Sequence, residues 1–174
     1  MNPLRRRGLQ VGLGVLVGAA LAGCGFRPRG DIKPVFTQVF TDLSAHNGVG
    51  LPLRQALQAA GVDMRPLGAP SDATAALPVL KVEIDQREKS VIAKTVDGQV
   101  RELQLRVRFI ASVRDGLGHV WMPRTEWVLT QNLGYNETLA YGKELEESLM
   151  LPKMEQDIAE QVMRKLAVLR PPSP

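Results

Sequence analysis

One side chain stands apart among those able to form a new bond. Cys24 is the only cysteine among the 174 residues, so no disulfide can close within the chain and no site can be built from several thiolates. It follows Leu21-Ala22-Gly23 at the end of an uncharged run from Val11 to Ala22, and Arg5, Arg6 and Arg7 precede that run. A basic segment, a short apolar segment and small residues before a thiol are the layout of a secretory signal whose cysteine is lipidated and becomes the mature N-terminus. Several acyl chains, at about 0.8 kcal/mol per buried methylene, would make such anchoring effectively permanent. A spanning helix needs roughly 20 apolar residues, whereas this run has 12, so cleavage is expected rather than insertion. Gly25, not aspartate, follows the cysteine, which favours the outer membrane over the inner one.

Elsewhere the search for reactive constellations returns little. His46 and His119 are the only histidines; they lie far apart, with no HExxH or H-x-E pattern, so no metal site is expected. There is no Gly-Lys-Ser/Thr phosphate loop, and no G-x-S-x-G elbow for a serine nucleophile. Gly12-Leu13-Gly14 belongs to the signal. Glu144, Glu146 and Glu147 read as a solvated helix face rather than an acid/base pair. The chain is therefore expected to be no enzyme and to carry no cofactor.

The basic residues offer more. Arg106, Arg108 and Arg114 recur at alternate or nearby positions of one segment, while Lys94 and Arg101 flank Asp97-Gly98. A row of guanidinium groups on one strand face can hold phosphates through paired hydrogen bonds. The same row can equally be a solvated sheet face balanced by neighbouring acids. Nucleic acid is excluded as the partner by the charge balance. The whole chain carries 22 Lys+Arg against 18 Asp+Glu, but residues 1–23 hold three of the arginines and none of the acids, leaving 19 against 18, a net +1.

These groups must be positioned by the 151 residues that begin at Cys24, a length suited to one domain. Residues 24–34, rich in Gly, Pro and Arg, read as a tether, and 35–169 as a single α+β domain. Val35 to Phe40 has strand character. Leu53, Ala56, Leu57 and Ala60 fall at helical spacing, with Pro52 in the first turn and Gly61 as the stop, and Gly68 to Ala76 is loop-like. The period then switches to two: Leu80, Val82 and Ile84 alternate with polar residues, as do Leu103 to Val113, and Val120 to Leu129 forms a third strand carrying Trp121 and Trp127. Turns at Asp97-Gly98 and Asp115-Gly116-Leu117-Gly118 make these three an antiparallel meander. Leu145, Leu149, Met154, Ile158, Val162 and Leu166 describe a long helix, which Pro152 should kink or split. Three prolines in 170–174 mark a frayed tail.

The order and spacing of several segments resemble the lipopolysaccharide-assembly lipoprotein family LptE. They are Ala22-Gly23-Cys24-Gly25-Phe26-Arg27, then Pro52-Leu53-Arg54-Gln55-Ala56-Leu57 through Gly61-Val62, Gly98-Gln99 before Glu102-Leu103-Gln104-Leu105, and Leu139-Ala140 with Lys143-Glu144, Met150 and Met154. The resemblance implies a mixed, mostly antiparallel four-stranded sheet with a short N-terminal and a long C-terminal helix on one face. It also implies a non-enzymatic subunit on the periplasmic face of the outer membrane. That subunit plugs and helps assemble the LptD β-barrel and binds lipopolysaccharide. Lys143 matches the family's Ala-x-Lys neighbourhood. At the hairpin the family tends to have Arg before Asn-Gly, whereas Val96 precedes Asp97-Gly98 here, so Lys94 and Arg101 are the candidates for that role, with Arg106 and Arg108 behind them. Another small outer-membrane lipoprotein, serving a phospholipid transporter or bound to peptidoglycan, is the alternative reading.

Overall fold

A computed structural model describes residues 32–68, 75–135 and 140–170. Cys24, the signal, most of the tether and the last four residues lie outside the described residues. The elements run β1 (Gln38–Thr41), a 3-10 turn (Leu43–Ala45), α1 (Gly50–Ala59), β2 (Asp63–Pro66), β3 (Pro78–Lys94), β4 (Val100–Asp115), β5 (Val120–Gly134) and α2 (Ala140–Ala167). They form one five-stranded sheet in the order β2-β1-β3-β4-β5. β3, β4 and β5 are the expected antiparallel meander, while β1 runs parallel to both β2 and β3.

The expected sheet had four strands, and β2 is the addition. Its sequence, Asp63-Met64-Arg65-Pro66, has no buried alternation because it lies at an edge with mostly exposed side chains. Pairing with β1 alone makes it a strand, and an edge is where Pro66 can sit without removing a ladder bond from a second neighbour.

α1 buries Leu53 and Leu57, one turn apart. Gly61, at φ 79°, closes it: its N–H donates to the Gln58 carbonyl at 2.9 Å and Val62 N–H to Leu57 at 3.0 Å. That bond pair is a Schellman cap, which needs a left-handed residue and so favours glycine. The other end has no capping side chain of its own. Asp85 of β3 supplies one across the fold, its carboxylate accepting Gly48 N–H at 3.2 Å, Val49 at 2.9 Å and Gly50 at 3.0 Å. A Cβ on Gly48 would collide with that carboxylate and one on Gly50 would lie 2.5 Å from His46 Cβ, so both glycines admit the close approach.

α2 is a single helix from Ala140 to Ala167 with Pro152 inside it, so the proline does not divide it in two. Met154, Ile158, Ala159, Val162, Met163 and Leu166 are its buried stripe. They pack on Leu105, Val107, Phe109, Ala111 and Val113 of β4 in one core shared with α1. Phe109 and Trp127 meet at a ring-centroid distance of 6.1 Å. The stripe starts later than the spacing suggests: Leu145 and Leu149 are exposed, at 57% and 69%.

A β-bulge sets what faces the helices. Leu80 and Val82 lie opposite Val113 and Ala111, but Ile84 pairs with Ile110, so Glu83 is an extra residue on β3. Side chains alternate along a strand, and one extra residue reverses the alternation. Beyond the bulge Asp85, Arg87 and Lys89 fall opposite Phe109, Val107 and Leu105, on the helix side. They are charged because their partners there are polar: Asp85 caps α1, Arg87 pairs with Glu155, and Lys89 reaches Glu147 at 2.5 Å. Glu155 itself is buried, at 4% exposure.

Candidate functional site at the end of the sheet

The two ion pairs between β3 and α2 fix the helix direction. Going from Glu147 to Glu155 along α2 accompanies going from Lys89 back to Arg87 along β3, so α2 starts toward the β3–β4 turn and descends the sheet. Lys143 lies about 6 Å beyond Glu147 at 1.5 Å per helical residue. Lys94 lies about 17 Å beyond Lys89 at roughly 3.3 Å per strand residue. Both therefore extend past the ion pairs toward the same end. Gly134, which leads into α2, pairs with Glu102 at that end as well.

The tip itself is short and well bonded. Lys94 pairs with Val100 as the last rung of the ladder. Thr95 N–H donates to the Gln99 carbonyl at 2.8 Å, Gly98 N–H to Thr95 at 3.0 Å, and Gly98 adopts φ 83°, as the Asp97-Gly98 turn requires. The Arg101 carbonyl accepts Tyr135 N–H at 2.8 Å. Among the described residues neither Lys94 nor Arg101 forms an ion pair, and Lys143 is held by Glu146 one turn on, at 2.7 Å. Val91, Ile92 and Val96 are exposed around them, Val96 completely. A cationic end with exposed aliphatic groups matches a ligand that is anionic at one part and apolar at the other.

Arg106 and Arg108 are not part of this end. They stand on the sheet face turned away from the helices and are matched to acids on both neighbours, Arg106 to Glu88 at 3.8 Å and Arg108 to Glu126 at 2.5 Å. Arg124 and Glu83 add a third pair at 2.7 Å. The Arg108 guanidinium, with further help from Arg124 and Arg106, holds the Glu126 carboxyl below the usual glutamate range against a smaller opposing effect of burial. Arg106 and Arg108 thus stand among acids of the neighbouring strands. The apolar Val91 and Ile92 were the missed members of the tip; their only signal is a short aliphatic run within the charged second half of β3.

At the other end of the meander Asp115 is a structural carboxylate. Burial pushes its pKa up, but hydrogen bonds from the His119 ring, the His119 backbone and the Trp121 indole outweigh that and hold it below the usual range. The distances are 2.9 Å to His119 Nδ1, 2.8 Å to His119 N–H and 3.4 Å to Trp121 Nε1. Among the described residues no group of three ligating side chains could hold a metal ion, and no helix is long and apolar enough to cross a membrane.

The sequence profile of the lipopolysaccharide-assembly family LptE matches residues 32–166, which spans every strand, α1 and all but the last residue of α2. The chain belongs to the LptE family. Solved structures agree on the fold. This LptE-family chain is similar to an uncharacterized lipoprotein B from Nitrosomonas europaea, solved by solution NMR, at 22% identity and a TM-score of 0.65, covering 82% of this chain and 90% of that one. The rare lipoprotein B from Shewanella oneidensis aligns at 17% identity and a TM-score of 0.59, over 75% and 93% of the two chains. A minor lipoprotein from Acinetobacter baumannii aligns at 17% identity and 0.57, over 81% and 99%. Comparison with curated protein sequences finds no match.

Proposed function

We propose that this LptE-family protein is a lipid-anchored, non-enzymatic subunit of the outer-membrane lipopolysaccharide translocon. In this reading Cys24 carries the lipid, the domain plugs and helps assemble an LptD-like β-barrel from the periplasmic side, and the tip contacts lipopolysaccharide. The observation that carries it is that Lys94, Arg101 and Lys143 all lie beyond the β3–α2 ion pairs toward the β3–β4 turn, where Val91, Ile92 and Val96 are exposed. Lipid A presents phosphates beside acyl chains, and that combination suits cations flanked by aliphatic side chains.

The test is lipopolysaccharide binding by the purified full chain. Lys94→Glu/Arg101→Glu and Lys143→Glu should each weaken it at least about tenfold, the loss of a charge-assisted contact, whereas Arg106→Gln should leave it nearly unchanged. Equal binding by all four proteins would remove the tip from consideration. Capture of a tagged chain from detergent-solubilised outer membranes should bring a large β-barrel with it, and its absence would end the plug reading. Mass spectrometry of the mature N-terminal peptide should find Cys24 acylated.

A further inference from the structure

Arg54 and Arg65 come together far from the tip. Thr41 of β1 pairs with Leu80, 14 residues before Lys94 and so about 45 Å from it along β3. Arg54 projects from α1 and is half-buried, yet among the described residues its only partner is the Leu43 carbonyl, met by Nη1 at 3.4 Å, a long and weak bond. No carboxylate of a described residue pairs with it. Arg65 on β2 uses Nε on Asp63 at 3.2 Å. A guanidinium has five N–H donors, so among the described residues both side chains keep most of theirs unused.

These two arginines, with Ser44 and Gln58, line a cavity of about 320 Å³ whose apolar wall includes Leu43 and Met64, and among the described residues no acid lines it. That volume is at the lower end of the range for small-molecule sites, about 300 to 1,000 Å³. A half-buried cation that no described carboxylate balances is costly to keep, and an anion in the cavity would relieve that cost. Two planar forks, a hydroxyl and an amide offer more donors than one carboxylate can accept, and they match the several oxygens of a phosphate.

We propose that Arg54 and Arg65 form a site for the phosphate group of a small organic ligand, either a soluble phosphate ester or a phospholipid headgroup. The apolar wall takes the organic part, and Ser44 and Gln58 complete the donor set. The site is independent of the lipopolysaccharide reading of the tip.

The full chain in an uncharged detergent, followed by NMR, tests this. Inorganic phosphate at constant ionic strength, against chloride, should shift the amides of Ser44, Gln58 and Arg65 saturably. A parallel titration with phosphatidylglycerol in the micelle asks whether a headgroup is accepted. Saturation by inorganic phosphate assigns a soluble ester; saturation by phosphatidylglycerol alone assigns a headgroup. Arg54→Gln should weaken either response at least about tenfold. Gln58→Glu, which leaves both arginines and the helix in place, should weaken it similarly by adding a negative charge at the cavity. No saturable shift with either probe, or unchanged midpoints in both variants, overturns the proposal.

Discussion

Replacing Asp85 should expose how strongly β3 holds the start of α1. Its carboxylate accepts three backbone N–H groups between 2.9 and 3.2 Å, and α1 has no capping side chain of its own. Losing a cap costs about 1 kcal/mol, and hydrogen bonds to a charged group are worth about 1.5–3 kcal/mol. Val49 and Gly50 are buried, but removing the partly exposed carboxylate leaves room for water to reach their amides, so Asp85→Ala should cost about 2–3 kcal/mol. A domain of this size loses about 3–5 °C per kcal/mol, so the melting point should fall by about 6–15 °C. The sharper test is a cycle with Gly48→Ala. The three atoms nearest to a Cβ on Gly48 all belong to the Asp85 carboxyl, so in the wild-type chain this substitution should expel the carboxylate and cost about as much as Asp85→Ala. In the Asp85→Ala background the obstruction is gone, and alanine should be neutral or stabilise by up to about 0.4–1 kcal/mol, since Gly48 does not need a left-handed backbone. Urea unfolding of the four proteins, read by the fluorescence of Trp121 and Trp127, gives the coupling. Additivity within about 0.5 kcal/mol would refute the cap.

Three other measurements probe the rest of the fold. Glu126 has a depressed carboxyl pKa in the folded protein, so its contribution is present at neutral pH and is lost as pH falls through the folded value. The stability advantage of wild type over Arg108→Gln, measured by urea midpoint, should therefore shrink below about pH 4.5, and a difference that grows on acidification would contradict the pairing. Pro152→Ala adds a helical N–H in the exposed interior of α2 and should raise the melting point, by about 1–3 kcal/mol in equivalent stability; a fall would mean that the proline's geometry is needed for packing. Ile158→Ala, at a fully buried position, should cost about 2–5 kcal/mol by the same urea assay, and a cost below 1 kcal/mol would mean that the seam between α2 and the sheet is loose.

Much of this architecture was legible because local pattern and tertiary contact agree there. β4 alternates cleanly since one face is core along most of its length, and α2 repeats every four residues where it lies on the sheet. β2 was not legible: four residues with no buried alternation become a strand only through β1, a partner that local pattern does not reveal. The second half of β3 was hidden differently. Gln86-Arg87-Glu88-Lys89 reads as solvated chain because Arg87 and Lys89 answer Glu155 and Glu147, which are distant in sequence. At the candidate site, the turn and its flanking cations could be read directly. That Arg106 and Arg108 are neutralised could not be, because Glu88 and Glu126 reach them only once the strands are in register.

Glu83 acts on the whole of β3 and not only on its own rung. Because a single inserted residue decides which half of β3 is greasy toward the helices and which is charged, the strand works by parity. Were Glu83 paired as a regular strand residue, with no bulge, every downstream side chain would stay chemically intact but turn to the wrong side: Gln86, Glu88 and Ser90 would be offered to α2, and Asp85 would leave the start of α1 open. Removing Glu83 itself would restore regular pairing with Asp85, Arg87 and Lys89 still on the helix side, so the bulge is where this strand should tolerate losing one residue. A single residue lost between Asp85 and Lys89 would instead turn the charges beyond it away from α2.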